Sequence, residues 1–403
     1  MTQSITSKSS SRSTRVDPVL TIALAQLFGT SLWFSANSAS DDLVKAWHIS
    51  AADIGTLTAA VQAGFILGTL AFALLGIADR YRASRIFCVS AVLGAIFNAW
   101  FATLSGGLHS ALLLRFLVGI CMAGIYPIGM KLIIGWAPER AAAALSLLVG
   151  MLTLGTALPH GLRAIAAAWP WPLVITGSSL LAIAAAVMVY ILGDGPHLAL
   201  RSIAGSTTPG NPVIAFRNAR FRAIAIGYFG HMWELYAFWT LVPMLVQASS
   251  LRGSSLVHSG AGTSFVIIAA GSLGCILGGI LSRWVKGEYI ALAALACSGA
   301  CCLAFPFLVT YLSPIWILAL LVVWGATVVA DSPQFSALAA AACPRELIGG
   351  ALAIQNSIGF ALTVASIAMV TSMHGSIGAW TAWLLLPGPI LGIVGFLMQW
   401  RRA

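Results

Sequence analysis

Twelve apolar stretches, each close to the length of a bilayer crossing, run through this 403-residue chain. An α-helix rises 1.5 Å per residue, so about 20 residues match the roughly 30 Å hydrocarbon core of a bilayer. The runs lie near 18–38, 52–75, 86–104, 111–135, 142–165, 170–193, 223–247, 262–282, 289–311, 314–340, 349–373 and 380–400, and are numbered spans 1 to 12 in that order. Lipid offers no partner to a bare amide, so runs this long and unalternating predict helices. Composition agrees: 59% of the residues are hydrophobic and 8% charged, too little polar surface to coat a water-soluble body of this size. The 40 glycines and 16 prolines sit mostly inside the apolar runs, where packing between membrane helices tolerates them.

A formal charge of +10 would suit a nucleic-acid partner if the cations gathered on one surface. They alternate between loops instead. Sixteen of the 21 Lys and Arg residues share one side with the N-terminus; Lys45, Arg163 and Arg252 take the other, and Arg115 and Lys131 fall inside span 4. This is the positive-inside bias, and it predicts a multi-pass protein of a bacterial inner membrane with both termini cytoplasmic and no nucleic-acid partner. Residues 1–17 read as a polar cytoplasmic tail. The first apolar run carries Trp33 and Phe34 and no small-x-small cleavage site, which marks a retained helix rather than a removed leader. The longest polar connection, 194–222, is a cytoplasmic linker that separates an N-terminal six-helix bundle, 18–193, from a C-terminal one, 223–403. The seven cysteines show neither metal-ligand spacing nor a disulfide framework and read as packing residues, so no metal or cofactor is expected.

Two six-helix halves imply an internal repeat. Phe28-Gly29 in span 1 matches Phe229-Gly230 in span 7; Asp79-Arg80 after span 2 matches Ser282-Arg283 after span 8; Pro127 and Pro138 match Pro333 and Pro344. The offsets are 201, 203 and 206 residues. Their near constancy points to a duplicated unit, its halves facing each other across a central cavity.

Two local patterns then carry a family resemblance. Leu75-Gly76-Ile77-Ala78-Asp79-Arg80-Tyr81-Arg82-Ala83-Ser84-Arg85 resembles the Gly-x-Leu-Ala-Asp-Arg-x-Gly-Arg-Arg loop between spans 2 and 3 of the major facilitator superfamily, with the glycine displaced by one and Ala83-Ser84 standing inside the basic end. Arg115-Phe116-Leu117-Val118-Gly119 resembles the family's Arg-x-x-x-Gly motif in span 4. The stretches Gly119 to Lys131 and Gly230 to Tyr236 look most like bacterial members of nitrate/nitrite or cyanate type. Nitrate porters place an arginine in the second span of each half; spans 2 and 8 here have no interior Arg or Lys, so that anion clamp is missing. The resemblance implies an all-α membrane protein of twelve transmembrane helices in two pseudo-two-fold-related halves, and a transporter working by alternating access. It also implies a proton-coupling role for Arg115.

An ionisable side chain in hydrocarbon costs about 3 kcal/mol or more, so each one inside a span needs a partner or a cavity. Glu234 lies in the middle of span 7 with His231 one turn before it, a spacing at which imidazole and carboxylate can share a proton. Asp331 precedes Ser332-Pro333 in span 10, where proline breaks the helix and frees carbonyls beside a charge; Lys131, its approximate repeat partner, is a candidate counter-ion. Arg115 and Tyr126, three turns apart, share a face of an unbroken span 4, where Arg115 would attract an anion. Asn37, His160, Gln355 and Asn356 can orient a polar solute, and Trp33 can wall it. Each of these residues has a plainer reading as an interhelical contact or, for Arg115, as a boundary residue. Asp79 can reach the amides at Gly349-Gly350 that open span 11, making Asp79, Arg80 and Arg85 gating residues. Gly64-x-x-x-Gly68 and Gly274-x-x-x-Gly278 permit close contacts on which the halves could pivot.

The chain contains no Gly-x-x-x-x-Gly-Lys-Ser/Thr loop, no His-Glu-x-x-His and no Gly-x-Ser-x-Gly, which argues against ATP-driven transport and intramembrane enzymes. It has no ring of charge for a channel. The expected function is secondary transport of a small polar solute, an organic or inorganic anion or a zwitterion, coupled to protons by a monomer in the bilayer. The alternative is proton-coupled efflux of a drug or metabolite.

Overall fold

The computed structural model describes residues 17–198, 212–251, 254, 259–343 and 347–402, without the side chains of Asp79, Ala142, Ile348 and Gly349. Its regular structure is helical throughout this set. Nine stretches are long and apolar enough to cross a membrane, and one of them, Gly350–Trp400, passes through two spans. Span 1 adds the shorter Pro18–Thr30, and span 7 adds Ala219–Ala248, which gives twelve.

Most spans are single helices: Ala51–Leu74 (span 2), Ala83–Leu104 (3), Ala141–Ile165 (5), Trp171–Leu192 (6), Gly260–Leu281 (8), Gly287–Leu308 (9) and Ile348–Ile377 (11). Local chemistry sets their ends. Ser50 and Asp53 close a reciprocal capping box at the start of span 2, and Asp17 caps span 1 with its carboxylate on the amide of Val19.

Four spans are interrupted. Span 1 stops at Thr30, turns through residues 31–34 and resumes as Ser35–Ser38. Span 4 divides into Leu108–Ala123 and Tyr126–Trp136, and span 10 into Pro314–Thr327 and Ser332–Ala342. Both restart with a proline in the first turn, Pro127 and Pro333, where the missing amide costs nothing. Span 12 begins as a 3-10 turn, Gly378–Leu384, before Pro387–Trp400.

The packing repeats. In the first half span 2 lies on 4, span 3 on 6 and on 4, and span 1 on 5 and on 6. Adding six to each number gives the second half: 8 on 10, 9 on 12 and on 10, 7 on 11 and on 12. The same operation exchanges the two main contacts between halves, span 5 on 8 and span 11 on 2. A pairing scheme invariant under this shift is that of a duplicated bundle with a pseudo-two-fold axis between the copies.

Close approaches share the offset. A Cβ on Gly119 would stand 2.1 Å from the carbonyl oxygen of Val61, and one on Gly325 2.0 Å from that of Ile267; both positions differ by 206. Gly64 and Gly68 therefore clamp span 2 to span 4, and Gly274 clamps span 8 to span 10. These glycines hold each half together. They are not the expected pivot between halves, because the seam runs elsewhere: Ser146 against Gly279, Gly150 against Ser272 and Gly161 against Phe265 along spans 5 and 8, and Gly55 against Thr371 between spans 2 and 11.

Candidate functional site

An even number of crossings returns the chain to its starting side, which defines a termini end and a far end. At the far end a hollow of about 590 Å³ opens between the halves. Asn37, Ser38, Ser40, Asp41, Lys45 and His160 line it from the first half; Pro243, Gln247, Ser259 and Ser264 line it from the second. Nε2 of Gln247 donates to Oδ2 of Asp41 at 2.7 Å, linking the halves at the rim.

Below this hollow an aromatic layer fills the middle. Trp33 packs on Phe65 (5.1 Å between ring centres), Tyr236 (5.4 Å) and Phe360 (5.8 Å); Phe65 and Phe360 meet at 4.3 Å, and Phe34 sits edge-on to Trp239 at 5.8 Å. All six rings are buried, and they come from spans 1, 2, 7 and 11. Tyr126 joins the layer's edge, 6.5 Å from Phe65. The rings pack on one another across the two halves, and Nε1 of Trp33 donates to the Gln62 side-chain oxygen at 3.2 Å.

On the termini side of that layer stands a buried acid–imidazole pair. Nδ1 of His231 is 2.7 Å from Oδ1 of Asp331, with neither side chain exposed. The approach is ion-pair distance without the alignment of a hydrogen bond, and Oδ2 of Asp331 and Nε2 of His231 have no hydrogen-bond partner among the described residues. Asp331 sits at the N-cap of Ser332–Ala342, a place where aspartate ordinarily accepts from its own helix, yet its side chain makes no cap bond. It turns across to span 7 instead.

This arrangement corrects three expectations. His231 and Glu234 share a helix but not a proton: Glu234 is held elsewhere, its Oε1 accepting from Nε1 of Trp324 at 2.7 Å and its Oε2 from Oγ of Ser298 at 2.8 Å. Two donors from spans 9 and 10 satisfy the carboxylate inside the second half. Asp331 pairs with His231, not with Lys131, whose ammonium donates to the carbonyl of Ala78 beside the span 2–3 loop. Arg115 and Tyr126 part company because span 4 breaks between Ala123 and Tyr126, which destroys the three-turn register.

Arg115 does not line the hollow. Its guanidinium is fully buried and donates to the carbonyls of Leu32 (3.1 Å) and Trp33, to Oγ of Ser35 (3.0 Å) and to Oδ1 of Asn98 (3.0 Å), with the Phe101 ring 5.5 Å away. Asn98 in turn donates to Ile175 and Ser179, so spans 1, 3, 4 and 6 are tied through one cation. The break in span 1 frees the carbonyls that Arg115 takes up. An anion-attracting role has no geometry here.

The remaining candidates divide. Asn37 and buried His160 both line the hollow; Asn37 donates from Nδ2 to Thr58 at 2.9 Å, and its Oδ1 and Nε2 of His160 have no hydrogen-bond partner among the described residues. Gln355, in the inner third of span 11, is buried with a free Oε1, and neighbouring Asn356 is half-buried. Arg80 and Arg85 are exposed and line a groove of about 510 Å³ with Arg82 and Tyr81 at the termini end. The expected latch between Asp79 and Gly349 falls on side chains outside the described set.

Several residues that the geometry ties to this region carry little or no signal in the sequence. Gln62 and Asn98 are lone amides within apolar runs and look no different there from Gln355. Trp324 and Ser298 carry none, since nothing local distinguishes an indole that holds a carboxylate from one that fills space. A comparison with curated proteins finds no match. The Major Facilitator Superfamily model matches residues 22–367, and with twelve spans, a six-plus-six pairing scheme and a hollow between the halves, the chain belongs to that family of membrane transporters.

Proposed function

We propose that this chain is a proton-coupled secondary transporter in which the His231–Asp331 pair carries the coupling proton. The far-end hollow is the access path captured in this conformation. The aromatic layer of Trp33, Phe34, Phe65, Tyr236, Trp239 and Phe360 is the barrier that must part for alternating access. The observation that carries this reading is the unsatisfied pair itself: a carboxylate and an imidazole 2.7 Å apart, each with a buried atom lacking a partner, at the break of span 10. Such a pair changes its charge with one proton, and the change alters how strongly spans 7 and 10 hold together.

The solute is a small polar molecule, an organic or inorganic anion or a zwitterion; the nitrate- or cyanate-like motifs in spans 4 and 7 support the anion, and the mixed charges of the rim support the zwitterion. The charge bias of the loops supports cytoplasmic termini in a bacterial inner membrane, with the hollow facing out. The hollow is lined by the two halves of a single chain, which supports a monomer.

The test uses proteoliposomes and the solute that most stabilises the purified protein in a screen of organic anions, amino acids, nitrate, cyanate and cationic drugs. Asp331→Asn and His231→Gln are expected to abolish uptake driven by a pH gradient while counterflow exchange continues. Gradient-driven uptake unchanged in both variants sinks the coupling assignment. A cationic drug as the stabilising ligand would favour efflux instead.

A further inference from the structure

The hollow contains polar groups that proton coupling does not use. Asn37 and His160 are 3% and 1% exposed, come from spans 1 and 5, and line the hollow, while Oδ1 of the one and Nε2 of the other have no hydrogen-bond partner among the described residues. A buried polar atom left unpaired costs about as much as a lost hydrogen bond, so this wall of the hollow is polar and short of partners.

The charges at the rim sort themselves. Asp42 is neutralised by Arg163 at 2.8 Å, and Asp53 is engaged with Ser50 at the cap of span 2. Asp41 and Lys45 remain, one turn apart on the helix Ser40–Trp47, both exposed and both lining the hollow. Asp41 gives one oxygen to Gln247, and Lys45 has no ion-pair partner among the described residues. Among the described residues the lining therefore offers one carboxylate and one ammonium, with Asn37, His160, Gln247 and the hydroxyl residues Ser40, Ser259 and Ser264 around them and no Phe, Tyr or Trp.

We infer that this vestibule is a binding station for a small aliphatic zwitterion of amino-acid size, its ammonium taken by Asp41 and its carboxylate by Lys45. His160 stands in the inner wall of the hollow. A lone anion leaves Asp41 opposing it, and a lone cation leaves Lys45 doing the same, so both are disfavoured by like charge. The hollow exceeds the volume of one such solute, and water completes the fit. Binding at this station stands on the lining alone; the passage of the bound solute across the bilayer rests on the transport reading.

The test is calorimetry and thermal shift on the full chain in nanodiscs with glycine, L-alanine and L-serine, beside propionate and isopropylamine as single-charge controls. The zwitterions are expected to bind and stabilise, and the controls at equal concentration to do neither. Lys45→Gln, at an exposed position, and His160→Phe, in the lining, are each expected to weaken zwitterion binding at least tenfold. No binding by any of the three zwitterions, equal binding by either control, or full affinity in both Lys45→Gln and His160→Phe overturns the inference. Zwitterion binding without pH-coupled uptake overturns the transport reading alone; pH-coupled uptake of a solute that ignores Lys45 and His160 overturns this inference alone.

Discussion

Arg115 is a cation sealed in the first half with four neutral acceptors and no carboxylate among its hydrogen-bond partners. Its work is to satisfy carbonyls that the turn at residues 31–34 releases, which makes a charge the repair for a broken helix. Replacing it with methionine strips the Trp33 carbonyl of its donor and leaves the one Ser35 hydroxyl to serve both the Leu32 carbonyl and Oδ1 of Asn98, at a cost of about 3 kcal/mol if unsatisfied buried acceptors cost 1–3 kcal/mol each. Thermal unfolding of Arg115→Met in detergent is expected to show a fall of several degrees relative to the parent. A parent-like melting temperature with lost solute binding would instead return Arg115 to the solute path. Glu234 teaches a related lesson: the sequence correctly marks it as a costly buried acid, but Trp324 and Ser298 decide that it holds spans 7, 9 and 10 together. Helical spacing tells which side chains share a face. It does not tell which foreign helix that face meets.

At the scale of elements, existence and number of spans are legible because a bilayer fixes helix length and forbids bare amides. The breaks are less so. Pro333 announces the interruption of span 10, whereas in span 4 the same device, Pro127, is masked because the apolar run continues past it. The glycine clamps show what the repeat means physically: Gly119 on Val61 and Gly325 on Ile267 are one contact made twice. Gly119→Val and Gly325→Val are expected to destabilise to similar degrees, by about 1–3 kcal/mol of overpacking each, because a side chain there meets a backbone oxygen that cannot move aside. Gly375→Ala, with nothing within 4 Å of a new Cβ, is the control expected to leave the melting temperature unchanged. Unequal losses in the two halves would show that the clamps are not equivalent.

Across the whole molecule the halves meet along spans 5 and 8 and along spans 2 and 11, with the aromatic layer at the centre and the hollow at the far end. His231 and Val246, on opposite sides of that layer, are separated by about 22 Å of helix at 1.5 Å per residue. The proposed proton site and vestibule, so far apart, call for a movement that spans the molecule, and rigid rocking of one half against the other supplies one. Cysteines at Ser146 and Gly279, which face each other at the termini end of the seam, should arrest uptake when oxidised, with recovery on reduction. Uptake that continues through the cross-link would exclude opening at that end. The sequence by itself determined the helix count, the bilayer environment, the duplication and the short roster of buried polar residues, because hydrophobic length and the cost of burying charge act locally along the chain. Tertiary structure alone decided which acid meets which base, that Arg115 braces a broken helix, and that Asn37 and His160 face one hollow, because those outcomes depend on which helices are neighbours and how each is rotated.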